Sequence, residues 1–161
     1  MRPGTGNWRV TSASVCGVGH VRGGKPNQDS HGWAIADDGS VLAIVVADGA
    51  GSASLAEVGA QVAAHAALVS LASGASADPE GWTQCLQSAL QAALNAVEAE
   101  SASREVQSRD LATTLILALA GPSGVAAAQI GDGAVVVGDG PGGLVSLTAP
   151  RSGEYIKKKS R

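Results

Sequence analysis

The sequence predicts an α+β fold, a sandwich of antiparallel strands with a pair of helices on an outer face. Three observations carry that reading: short apolar runs come before any long helical pattern, two helical segments occupy the middle of the chain, and apolar runs resume after them. Strands, then helices, then strands disfavour a simple alternation of the two. With 161 residues and 45% apolar content, the chain is long enough to bury a real core as one domain. Phe is absent and Trp and Tyr number only 3 and 1, so Val, Leu, Ile and Ala must fill that core. The Ala- and Gly-rich usage resembles that of a high-GC bacterial coding sequence.

The elements follow in order. "VTSASVCGVGHV" and "SHGWAIAD" read as two strands separated by a Gly, Lys, Pro and Asn loop. "DDGS" (Asp37 to Ser40) reads as a hairpin turn, and "VLAIVVA" as a strand buried on both faces. A first helix opens at Ser54-Leu55-Ala56-Glu57, which fits a reciprocal capping box. Val58, Val62 and Val69 recur at helical spacing along it, and Gly74 supplies the stop. His65 falls on that stripe and reads as a hydrogen-bonded core or edge residue. A second helix opens with Asp78 as its cap and Pro79 in its first turn, with Trp82, Leu86, Ala89, Leu90, Ala93, Leu94 and Val97 as its buried stripe. "TTLILALA", "GVAAAQIG", "AVVVGDG" and "GLVSLTA" then give four strands, the first pair joined by a turn at Gly121-Pro122-Ser123-Gly124. Residues 1–150 form the expected domain and 151–161 a flexible basic tail.

Charge and cysteine usage exclude several classes. Residues 1–150 carry 6 Lys plus Arg against 13 Asp plus Glu, a balance of −7, whereas 151–161 carry 5 against 1, or +4. An acidic body without a basic stripe argues against a nucleic-acid partner. No run approaches a membrane span, and "MRPGTGNWRV" lacks the apolar centre of a secretory signal, so the expected setting is cytoplasmic. Cys16 and Cys85 lack metal-site spacing and read as free thiols.

Acidic residues at strand ends supply the candidate chemistry. Asp29 stands in "KPNQDS" before one apolar run, Asp48 ends "VLAIVVAD", and Asp132 lies in "QIGDGAVVV" between two later runs. Each is an ordinary turn residue when taken alone. Together, three carboxylates fixed at the rim of a sheet suit hard divalent cations, which take oxygen ligands. A carboxylate bridging two such ions about 3.5 to 4 Å apart lowers the pKa of a shared water for in-line attack on phosphorus. Gly49 fits, since a missing side chain lets a backbone carbonyl approach a metal.

"GHVRGGKPNQDS", then "VLAIVVADGAGSASLAEVGA" with its aspartate 19 residues after the first, then "TTLILALA" and "AAAQIGDGAVVV" closely resemble the metal-dependent protein phosphatase 2C family, particularly its bacterial branch. The likeness runs from about Ser14 to Asp139. It implies a four-layer α-β-β-α sandwich and hydrolysis of phosphoserine or phosphothreonine on a phosphorylated protein partner. It also implies two or three Mn²⁺ or Mg²⁺ ions: Asp48 bridges two of them, Gly49 adds its carbonyl, Asp29 holds a metal or its water, and Asp132 helps a third, weaker site. Asp48 and Asp29 would then be the catalytic pair.

Departures from the pattern shape the remaining expectations. Family members carry two further metal-binding aspartates downstream, in Asp-Gly and Asp-Asn contexts, which this sequence does not reach, so the expected site and sandwich are incomplete. Asp139-Gly140 lies too close to Asp132 to take such a role. Gly24 stands where many members place a phosphate-clamping Arg, leaving Arg22 or Lys25 to supply the cation. Both also read as solvated loop charges. Ala50 stands where some members carry a His as general acid. The alternative function is a non-catalytic phosphatase-like regulatory module that binds a phosphoprotein or metal. A nucleotide-binding loop at "DGAGSAS" is disfavoured, because no phosphate-loop pattern is present and a carboxylate stands where the anion would approach.

Overall fold

In the structure, a computed structural model in which residues 8–138 and 142–148 are described, the long apolar runs build one four-stranded antiparallel sheet. Its strands are β1 (Asp29–Ala36), β2 (Val41–Asp48), β3 (Leu115–Gly121) and β4 (Gly124–Ile130), in that spatial order. Two helices, α2 (Ala56–Gly74) and α3 (Trp82–Ser103), pack together and cover one face. They follow α1 (Val18–Arg22), a single helical turn ahead of the sheet. β5 (Val136–Gly138) and β6 (Leu144–Ser146) pair separately as a two-stranded antiparallel sheet. Residues 149–161, and with them the expected tail, lie outside the described residues, as does Asp139-Gly140.

The β1–β2 hairpin sets the register of everything near its ends. Asp37–Gly39 forms a 3-10 turn in which Asp37 adopts φ 51° and Gly39 φ 99°. Asp tolerates the left-handed region because its short side chain finds local partners. Here the Asp37 carboxylate accepts from Ser40 Oγ at 2.9 Å and from the Ala77 N–H at 2.6 Å, tying the hairpin to the loop between α2 and α3. From this end the strands pair residue by residue, Ala36 opposite Val41 and, seven residues on, Asp29 opposite Asp48.

Inward-facing Val41, Ala43, Val45 and Ala47 of β2 have no exposed surface, and Leu115, Leu117 and Leu119 of β3 are buried beside them. Against these pack the small face of α2 and, from α3, Trp82, Leu86, Ala89 and Ala93. Trp82 also donates its indole N–H to the Ser76 carbonyl at 2.7 Å, satisfying the polar edge of a buried ring. As expected, Asp78 accepts from the Glu80 N–H at 3.0 Å and starts the turn at Pro79–Gly81 that leads into α3. Gly74 ends α2, and Gly121 faces Gly124 across the β3–β4 turn.

Several expectations are corrected. The block at Val10 to Val21 is no strand: residues 10–17 have no regular structure, and the glycines at 17 and 19 let the backbone close α1 instead, with His20 N–H on the Gly17 carbonyl and Gly23 N–H on the Gly19 carbonyl. The sheet therefore has two strands, not three, ahead of the helix pair. β2 is buried on both faces only at its start: on the second face Leu42 is buried, but Ile44 is half-buried and Val46 keeps 40% exposure. No capping box forms at Ser54; α2 begins at Ala56 after Leu55, whose N–H reaches the Asp110 carbonyl at 2.8 Å. The buried face of α2 is Ala56, Gly59, Ala60, Ala63, Ala64, Ala67 and Leu71, while Val69 is 53% exposed and His65 is exposed on the same side as solvent. Leu94 of α3 is likewise half-exposed.

Small residues win the α2 interface because they allow the backbones to approach. A Cβ on Gly59 would overlap the backbone of Leu111, in the 3-10 turn Ser108–Leu111. Gly59→Ala must therefore push α2 off this turn, at a cost of about 3 kcal/mol in unfolding free energy. Urea unfolding of the variant checks this; a loss below about 0.5 kcal/mol would show that the contact relaxes freely.

Candidate active site

The sheet brings two of the expected carboxylates face to face. Asp29 opens β1 and Asp48 closes β2, directly opposite in register. Cross-strand partners on one face stand within about 5.5 Å at Cβ, and like charges there repel. The hairpin thus forces together groups that would separate in a free chain.

Each backbone is pinned. The Asp29 N–H donates to Asn27 Oδ1 at 3.3 Å, a local turn that the polar "PNQD" run provides. Asn27 Nδ2 donates to Ser14 Oγ at 2.7 Å, and Ser14 Oγ donates in turn to Asp29 Oδ2 at 3.2 Å. Across the sheet, the Asp48 N–H donates to Thr114 Oγ1 at 3.0 Å, while the Asp48 carbonyl accepts from the Thr114 N–H at 2.8 Å and Thr113 Oγ1 at 3.0 Å. These bonds consume the main-chain groups of Asp48 and leave its carboxylate facing the cleft. Thr113, Thr114 and Ser14 were not singled out by the sequence reading, for they act from 65, 66 and 15 residues away and only folding unites them with their aspartates; Asn27, two residues from Asp29, read only as part of a turn.

Gly49 continues from β2 into the crowded start of α2. A Cβ there would lie 2.5 Å from the Ala56 carbonyl oxygen and 2.8 Å from that of Gln28. Its N–H donates to the same Gln28 carbonyl at 3.0 Å. Asp132 arrives from the loop after β4, between Gly131 at φ 105° and Gly133, either of which would clash with Thr114 or Ile116 if it carried a side chain. That close approach holds the loop against the start of β3, next to Asp48.

An open cleft of about 410 Å³ has Asp29, Asp48, Gly49, Asn27, Gln28 and His20 among its lining residues; Asp132 is not one of them. Gln28 is 7% exposed, and its Oε1 has no hydrogen-bond partner among the described residues. Loss of water around the Asp48 carboxyl raises its pKa from the ordinary carboxylate value; the charge of Asp29 and a hydrogen bond with it add to the rise, as does the charge of Asp132, while His20 opposes it. His20 is a cleft residue that the sequence reading passed over, its only signal being its place in "GHVRGG". Arg22 and Lys25 are both exposed and do not line the cleft.

The donor set is all oxygen: opposed carboxylates, a third carboxylate nearby, a backbone carbonyl and an orphaned amide oxygen. Such a set fits a hard divalent cation. Among the described residues, no three His, Cys, Asp or Glu side chains already converge on one point.

An α+β domain with carboxylates gathered at one rim of a helix-backed antiparallel sheet is the class that fold and site define. A family model described as protein phosphatase 2C matches residues 16–159, and the chain belongs to that family. It is similar to serine/threonine-protein phosphatase 3 of Escherichia coli (strain K12), 34% identical over 153 residues, which span 92% of this chain and 60% of that protein. The crystal structure of the Mycobacterium tuberculosis serine/threonine phosphatase PstP/Ppp matches with a TM-score of 0.55 and 25% identity, covering 78% of this chain and 48% of that one. The chain thus spans about half to three fifths of the length of these relatives. The described residues supply a helix layer, the four-stranded sheet beneath it and the β5–β6 pair of that α+β fold.

A raised Asp48 pKa has a direct consequence for stability. The folded protein then holds this proton more tightly than the unfolded chain, so the contribution favours folding below about pH 3.8 and is lost as pH rises through the raised folded value. At neutral pH, without divalent ions, ionised Asp48 weighs against the fold. Asp48→Asn is expected to raise the urea midpoint at pH 7, with a gain that shrinks toward zero at pH 3.5. Paired urea titrations at the two pH values check it; a pH-independent gain would remove charge as its cause.

Proposed function

We propose that this chain carries the catalytic face of a metal-dependent phosphatase acting on phosphoserine or phosphothreonine of protein substrates. The observation that carries the reading is the forced opposition of Asp29 and Asp48 at the mouth of an oxygen-rich cleft. Membership of the protein phosphatase 2C family and the names of the two relatives support the substrate class.

In this reading Asp48, the Gly49 carbonyl and Asp29 would hold Mn²⁺ or Mg²⁺ ions, with Asp48 shared between two of them, and Asp132 would serve a third position. When bound, such ions lower the pKa of a shared water and neutralise charge on the phosphoryl oxygens. The chain's own part is positional. Thr113 and Thr114 fix the Asp48 backbone, Asn27 and Ser14 fix Asp29, and the Gln28 amide oxygen offers a buried acceptor beside them. The two cysteines are free thiols, Cys16 half-buried and Cys85 buried, which accords with the reducing cytoplasm as the setting. Among the described residues, no helix is long and apolar enough to cross a membrane.

Two measurements test the proposal together. Mn²⁺ should raise the stability of the protein by about 2.7 kcal/mol at a hundredfold excess over its Kd, and Asp48→Asn should abolish the gain. Hydrolysis of p-nitrophenyl phosphate should depend on Mn²⁺ and fall at least about 100-fold in the same variant. Stabilisation by metal and affinity for a phosphopeptide without turnover would instead mark a binding module. Neither stabilisation nor turnover in folded protein would sink the metal assignment.

A further inference from the structure

We propose that His20 is the side chain that grips the substrate phosphate in this cleft, taking the place expected for Arg22 or Lys25. The inference rests on the phosphatase reading above and deepens it, naming the residue that contacts the phosphoryl oxygens.

Three features of α1 and the turn that follows it carry the inference. His20 lines the cleft together with Asp29, Asp48 and Gln28, and it is half-buried where Arg22 and Lys25 are exposed. Residues two apart on a helix point about 200° from one another, so the turn that faces His20 to the cleft turns Arg22 away from it. Lys25 is set aside by the loop itself. Its N–H returns to the His20 carbonyl at 2.9 Å, and the Gly23 N–H bonds to the Gly19 carbonyl at 3.1 Å, so the Gly23-Gly24 turn is closed by hydrogen bonds and does not swing freely. Gly24 at φ 65° completes that closure with a conformation that favours glycine.

The chemistry of the ring suits the position. Imidazole offers an N–H donor in either protonation state, and two when charged, whereas the carboxylates beside it only accept. A phosphoryl group drawn to cations held by Asp29 and Asp48 would present its remaining oxygens to the cleft wall, which the His20 side chain lines. The ring makes no hydrogen bond to another described residue, so it has not been committed to a structural role. α1 contributes no buried residue, so replacing His20 leaves the core intact.

The experiment uses the whole chain with histidine ¹⁵N-labelled and Mg²⁺ as a diamagnetic ion, titrated with inorganic phosphate. The protein has three histidines; His65, in a separate groove across β1 and α2, serves as the internal control, whereas His31 also borders the groove that reaches Asp29 and Asp48 and is the competing candidate. Saturable shifts confined to the His20 ring are expected, assigned by their loss in His20→Gln. By calorimetry, His20→Ala should weaken phosphate about tenfold, as loss of a charge-assisted hydrogen bond does, with Arg22→Ala and Lys25→Ala within twofold of the parent. In p-nitrophenyl phosphate hydrolysis, His20→Ala should raise KM by a similar factor and change kcat less. Absence of His20 shifts, or a larger loss in Arg22→Ala or Lys25→Ala, overturns the inference. Asp48-dependent hydrolysis with an unchanged KM in His20→Ala overturns it while leaving the phosphatase reading in place. Phosphate-induced shifts at His20 in a chain without turnover support it and overturn catalysis alone.

Discussion

The close approach of three backbone segments at Gly49 is the constraint on which the site depends. The Gln28 carbonyl on one side and the Ala56 carbonyl on the other leave no room for a side chain, and the Gly49 N–H is committed to the first of them. One residue on, the Ala50 N–H reaches the Ala112 carbonyl at 2.9 Å. The end of β2 is thus clamped between the approach to β1 and the segment that leads into β3. A second contact of the same kind, Gly59 against Leu111, holds α2 down on that segment. Because main chain meets main chain, the clamp cannot be relieved by a change of rotamer. Asp48, immediately before it, inherits a fixed direction.

Magnitudes explain why the fold tolerates opposed carboxylates. Like charges across a strand pair cost on the order of 0.2 to 1 kcal/mol. Each of the fully buried Leu71, Leu117 and Leu119 contributes about 1.5 to 3 kcal/mol by leaving water. The core therefore outweighs the local repulsion several times over, and the register that aligns Val41, Ala43, Val45 and Ala47 inward also fixes Asp29 opposite Asp48. A one-residue slip that separated the aspartates would turn the buried face of β2 outward.

Local chemistry was legible in the sequence wherever it acted over a few residues. The Asp37 to Ser40 hairpin, the start at Asp78-Pro79, the stop at Gly74 and the turn at Gly121 to Gly124 all depend on backbone preferences of the residues that form them. What the sequence hid was tertiary. The valines of α2 looked like its core stripe because hydrophobicity was weighed without size, yet the alanines and Gly59 are buried because only they let the helix come close. Ser54 looked like a cap, but the Asp110 carbonyl takes the Leu55 N–H from across the fold. Gly49 looked like an opening for a carbonyl, and the structure adds backbone crowding as a second reason for glycine. At the site, the order of Asp29, Asp48 and Asp132 could be read along the chain, whereas the threonines that fix Asp48 lie 65 and 66 residues from it and carry no local signature.

The surroundings of the carboxylate pair connect its cost to its use. On the outer face of the sheet, residues 10–15 and the strands border a groove that runs past Trp33, Ile44 and Val46 to Asp29 and Asp48. The pair stands where this largely apolar groove meets the polar cleft, so less water screens it than would screen two carboxylates on a flat surface. Lower screening strengthens repulsion between the aspartates and, by the same factor, strengthens their attraction for a cation. The free energy that disfavours ionised Asp48 in the bare protein is therefore returned when positive charge arrives, and the rigid Gly49 clamp prevents it from being dissipated earlier by strand separation. Backbone crowding, core burial and strand register converge on one result: Asp29 and Asp48 are held opposite one another by the fold itself.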